Sequence, residues 1–119
     1  MKINNKKILN NHLETISGIA DRGYQKRVWI CGEGPEVDDY TESICHFFDD
    51  GDPIISHYKN YGITDRQLFL LTSLRKAVQE FTSKIKFELG PDFLCSPEWI
   101  KITVMAKEVL GSFDYHNQE

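Results

Sequence analysis

An all-α domain of about five helices is the fold the sequence predicts, on three observations. Apolar residues recur at three- and four-residue steps, most clearly in Leu71, Leu74, Val78, Phe81 and Ile85. Start and stop signals bracket such stretches, with Ser96-Pro97-Glu98 ahead of one and Gly90-Pro91 behind another. Only Arg27 to Cys31 (RVWIC) reads as a strand, and a lone strand has nothing to pair with. The length of 119 residues suits one domain spanning 1–119, and 40% apolar residues argue against a disordered chain.

In chain order, Ile8 or Leu9, His12 or Leu13, Ile16 and Ile19 form a short amphipathic helix that Gly23 closes. Pro35 opens a second helix running to about Phe48, with Val37, Tyr40, Ile44, Phe47 and Phe48 inward. Asp38, Asp39 and Glu42 then fall mostly on its outer face. Asp49-Asp50-Gly51-Asp52-Pro53 is a turn by composition, and Asp52 caps a short helix over 53–60. The longest helix lies between Thr64 and Leu89, opened by a capping box of Thr64 and Gln67. The last follows Ser96, takes Pro97 in its first turn and turns Trp99, Ile102, Met105, Ala106 and Val109 inward before Gly111.

The net charge of −4 is unevenly distributed. Residues 1–27 sum to +4 and residues 59–119 to zero, so the deficit lies in Val28–Tyr58. That stretch has no Lys or Arg and eight acids: Glu33, Glu36, Asp38, Asp39, Glu42, Asp49, Asp50 and Asp52. Acids at helix starts favour the macrodipole and aid solubility. Thirty-one residues without a cation also predict a negative surface that suits a cationic partner. The overall balance argues against nucleic-acid binding, and six cations in the first third have no aromatic interleaving.

The first twenty residues lack the continuous apolar stretch of a secretory signal, and no apolar run is long enough to span a membrane. Cys31, Cys45 and Cys95 are odd in number, far apart and free of any CxxC pair, which fits reduced, packed thiols and a cytoplasmic location.

Among candidate chemistries, Asp49-Asp50-Gly51-Asp52 lacks the alternating pattern of a calcium loop. His12, His46, His57 and His116 never sit two to five apart, so no local zinc pair exists. Cys45 and His46 point about 100° apart on a helix, a poor nucleophile–base arrangement. No phosphate-binding or nucleophile-elbow motif occurs, and no cofactor is expected. Glu33-x-x-Glu36 and Asp49-x-x-Asp52, separated by twelve residues, resemble the paired acids with which helical MazG-like nucleotide pyrophosphohydrolases hold Mg²⁺. That resemblance covers four positions. Gly34, Pro35 and Gly51 sit inside the pairs, so neither pair is expected to lie wholly within a helix.

Trp29, Tyr40, Tyr58 and Tyr61 lie within or beside the acidic block. Trp29 and Tyr58 are candidate interface anchors, and Tyr58 and Tyr61 are expected to be exposed. The block EGPEVDDYTESICHFFDDGD and the following HYKNY, on a small acidic helical chain without a catalytic motif, resemble the immunity proteins of bacterial polymorphic or contact-dependent growth-inhibition toxins. The resemblance is one of size, charge and architecture. It implies a non-enzymatic inhibitor that forms a cytoplasmic heterodimer with a basic toxin domain, such as a nuclease. The contacts it implies are Glu33, Asp38, Asp39, Glu42, Asp49, Asp50 and Asp52, with Tyr58 or Trp29 as anchor. A pyrophosphohydrolase and a non-catalytic helical scaffold are the alternatives.

Overall fold

A computed structural model describes residues 2–34, 38–85 and 91–115, and all regular structure among them is helical. Five α-helices carry the fold: α1 (Lys2–Ala20), α2 (Arg22–Tyr24), α3 (Tyr40–Ser56), α4 (Asp65–Ile85) and α5 (Pro97–Ser112). A π-helical turn (Gln25–Ile30) follows α2, and 3₁₀ turns at Tyr58–Tyr61 and Pro91–Cys95 precede α4 and α5. No helix of the described residues is long and apolar enough to cross a membrane.

The inner face of α1 is both His12 and Leu13, then Ile16 and Ile19, all within 3% of full burial. The helix closes at Ala20, before Gly23, because Asp21 turns to extended backbone and its side chain caps α2 through the Tyr24 amide at 3.0 Å. The expected strand at Arg27–Cys31 is instead part of the π-helical turn. Gln25, fully buried there, explains the winding. Its Nε2 donates to the Gly18 and Ile19 carbonyls at 2.9 and 2.7 Å, and its Oε1 accepts from Trp99 Nε1 at 2.9 Å. One amide thus caps the Ile19 carbonyl at the end of α1 and reinforces that of Gly18, which also accepts from the Asp21 amide at 3.3 Å.

The second long helix differs most from expectation. Its start is capped by Asp39, whose carboxylate accepts from the Glu42 amide at 2.8 Å; Pro35, Glu36 and Val37 lie outside the described residues. It then continues through Asp49–Pro53, where a turn and a new cap at Asp52 were expected, and ends at Ser56. A proline in a helix interior costs about 3 kcal/mol and a glycine about 1 kcal/mol. Tertiary contacts outweigh that preference. Gly51 is buried against the His12 ring, Ile54 is fully buried, and Asp52 is bound by Arg75 of α4 at 2.6 Å. The expected helix over 53–60 is therefore the end of α3 followed by a 3₁₀ turn, which stops at Gly62 in the left-handed region (φ 70°).

The last two long helices follow their local signals. Thr64 Oγ1 accepts from the Gln67 amide at 3.1 Å while Gln67 Oε1 accepts from the Thr64 amide at 2.8 Å, a complete capping box. Ser96 Oγ accepts from the Trp99 amide at 3.2 Å, with Pro97 at the helix start. α5 packs between α1 and α4, and α3 closes on α1. The centre is aromatic: Trp99, fully buried, meets Tyr40, Phe81 and Phe93 at centroid separations of 5.2–5.6 Å. Tyr40 is hydrogen-bonded to Thr82 at 2.6 Å, and burial pushes its phenol pKa up to about 12.

Candidate partner-binding cleft

A cleft of about 540 Å³ opens between the second half of α1 and the first turns of α3. Helical spacing assembles it. Glu14, Ser17 and Gly18 share one face of α1, Asp21 follows just past its end as the cap of α2, and Glu42, Ser43 and His46 share one face of α3. Asp38 and Tyr24 join them. Four carboxylates (Glu14, Asp21, Asp38 and Glu42) line the cleft, and among the described residues no lysine or arginine does. The hydroxyls of Thr15, Ser17, Ser43 and Tyr24 complete a polar wall. His46 Nε2 lies 4.0 Å from Glu42 on the same helix.

Asp38 is both wall and clamp. Its carboxylate accepts from the Tyr24 hydroxyl at 2.7 Å, Trp29 Nε1 at 3.0 Å, Ser43 Oγ at 2.8 Å and the Asp39 amide at 2.9 Å. It pins α2, the π-helical turn and the start of α3 together, so its charge faces the cleft while its lone pairs are committed. Asp39 is spent on the cap of α3.

The other expected contacts are dispersed. Asp49 lies seven residues beyond Glu42, about 10 Å and two turns along the same exposed stripe of α3. Asp50 is half-buried beside that stripe. Asp52 turns the other way and belongs to the ion pair with Arg75, which also lies over the Phe48 ring at 5.1 Å. Glu33 is exposed beyond the π-helical turn. Trp29 is half-buried in the aromatic cluster, stacked on Phe93. Tyr58 and Tyr61, expected to be exposed, are half-buried against the core, and the Tyr58 hydroxyl reaches Asp65 at 3.4 Å. All three cysteines are exposed, where packed thiols were expected.

Two members of the cleft, Glu14 and Asp21, come from the N-terminal block whose net charge is positive. Glu14 reaches the cleft from the face of α1, whereas Asp21 reaches it from the junction between α1 and α2, where it caps α2. Contrary to expectation, Asp49 and Asp52 do lie within one helix, but Asp52 is engaged by Arg75 and Glu36 is outside the described residues. Among the described residues no three His, Cys, Asp or Glu side chains gather to hold a metal ion.

A second groove of about 520 Å³ runs between α4 and α5. Phe81, Ile102 and Met105 form its floor and Lys76, Lys84 and Lys101 its rim; Lys84 bridges to Glu98 at 3.3 Å. No protein-family model, curated protein or solved structure matches this chain.

Proposed function

We propose that the protein is an immunity-type inhibitor that binds a basic toxin domain, a nuclease in the first instance, in a cytoplasmic heterodimer. The observation that supports this reading is the α1–α3 cleft, lined by four carboxylates and, among the described residues, by no lysine or arginine. A lysine or arginine of the partner entering the cleft exchanges water for carboxylates and hydroxyl acceptors already held in place. Glu42 and Asp49 carry the negative stripe outward along α3 and steer the encounter. Such steering acts chiefly on the association rate and on its salt dependence.

The reading expects an open reading frame directly upstream that encodes an exported protein with a basic C-terminal domain, and the test co-expresses that domain with this chain. The double variant Glu14→Gln, Glu42→Gln removes two cleft charges that the fold does not use for capping. It should slow association at low salt about tenfold or more and flatten the salt dependence. Glu108→Gln, on the exposed side of α5, should change neither. Failure of the two chains to associate, or unchanged rates in the double variant, sinks the reading.

A further inference from the structure

The segment Asp49–Pro53 has the composition of a turn but is helical in the fold, and the contacts that hold it converge on one histidine. The His12 ring stacks on Phe47 with centroids 5.4 Å apart and lies against the Gly51 backbone. A Cβ at residue 51 would sit 2.7 Å from His12 Cε1 and 2.9 Å from Nε2, so only glycine lets the two helices close this far. His12 is 1% exposed, and its Nδ1 is the one buried side-chain N or O atom without a hydrogen-bond partner among the described residues. We propose that residues 49–56 are a conditional helix, wound while His12 is neutral and released when His12 takes a proton.

The geometry gives an imidazolium no place in the closed form. Nδ1 has no acceptor, and the neighbouring carboxylate, Asp52 of α3, is already bound by Arg75 of α4 through two contacts at 2.6 and 3.3 Å. Asp52 is the charge whose field reaches the ring, and no group on α5 or on the 3₁₀ turn after α3 contributes. Burial lowers the His12 pKa from 6.5 to about 4, and Asp52 offsets only part of that. The closed form therefore rejects a proton that the open form accepts at about pH 6.5. Each unit of pH lost below 6.5 favours opening up to tenfold, about 30-fold by pH 5 and about 150-fold by pH 4, relative to neutral pH. Opening occurs at Gly51–Pro53, where intrinsic helix preference is weakest and Pro53 lacks the amide that would continue the ladder. Ile54, fully buried, keeps the helix wound at neutral pH.

Hydrogen exchange on the whole chain tests this. The amides of residues 54–57 should exchange through an opening that low urea hardly promotes, with lower protection than those of Leu71, Leu74 and Val78. Their protection should fall about 15-fold between pH 6.5 and 5, after correction for intrinsic rates. In His12→Leu that pH dependence should vanish. Pro53→Ala, which keeps His12, should raise protection of 54–57 toward the α4 value, and it stands in should the leucine variant fail to fold. The proposal is overturned by exchange of 54–57 only with global unfolding, by pH-independent protection, by an unchanged slope in His12→Leu, or by unchanged protection in Pro53→Ala.

Discussion

At the residue scale, two buried polar side chains join elements that their own backbones do not. Asp38 gathers donors from Tyr24, Trp29 and Ser43, and Gln25 ties the end of α1 to Trp99. Asp38→Ala leaves those donors facing a void in a partly buried place. It should cost about 1–3 kcal/mol in chemical denaturation, more than truncating the exposed Asp49. Gln25→Leu keeps the volume but removes the donor to the Ile19 carbonyl and the acceptor of a buried indole N–H, and should cost at least as much. Neither role is visible in the sequence, since Asp38 reads as one of eight acids and Gln25 as a polar residue just ahead of a strand-like run. The candidate cleft is half visible. Asp38 and Glu42 stand out in the cation-free block, whereas Glu14 and Asp21 disappear when charge is summed along the chain.

At the element scale, helices fixed by local chemistry are readable and helices fixed by distant contacts are not. α4 and α5 begin where Thr64 and Ser96 say they should, because capping is a bargain among residues three apart. Thr64→Ala should therefore lower stability by about 1 kcal/mol, measured by thermal denaturation. α3 is the opposite case. Local composition predicts a break at Asp49–Pro53, and the helix persists because His12 and Arg75, far away in sequence, hold it. Pro53→Ala restores a ladder amide and removes the ring's clash with the preceding turn. It should stabilise the protein by about 1 kcal/mol or more, although the residue it replaces is exposed.

At the scale of the molecule, two buried titrating groups bound the pH range of full stability. His12 has a folded pKa lowered to about 4 from 6.5, so its contribution is complete above 6.5 and is lost as pH falls toward 4. Tyr40 has a folded pKa raised to about 12 from 10, so its contribution is complete below pH 10 and is lost as pH rises toward 12. Urea midpoints across pH should trace a plateau between about 6.5 and 10 with both edges falling, the acid edge by about 3 kcal/mol at pH 4 and the alkaline edge by about 2 kcal/mol at pH 12. His12→Leu should flatten the acid edge and Tyr40→Phe the alkaline one. Charge is also arranged across the molecule: the carboxylate cleft lies on α1 and α3 and the lysine-rimmed groove on α4 and α5. A basic partner approaching in solution is therefore drawn to the first helix pair more than to the second, where Glu80 and Glu98 offset the lysines in part.

The hydrogen bond from Trp99 Nε1 to Gln25 Oε1 joins positions 74 residues apart. On the ribosome, the pocket beside Gln25 must wait for α5 to emerge before its indole arrives. Until then the end of α1, the π-helical turn and Tyr40 surround an unfilled space where Trp99 will lie. The nascent chain can wind its helices early, but it completes its core only after α5 has left the exit tunnel. Fragments that stop before α5 should accordingly be found bound to chaperones or degraded, and the protein becomes competent for any partner as a finished chain.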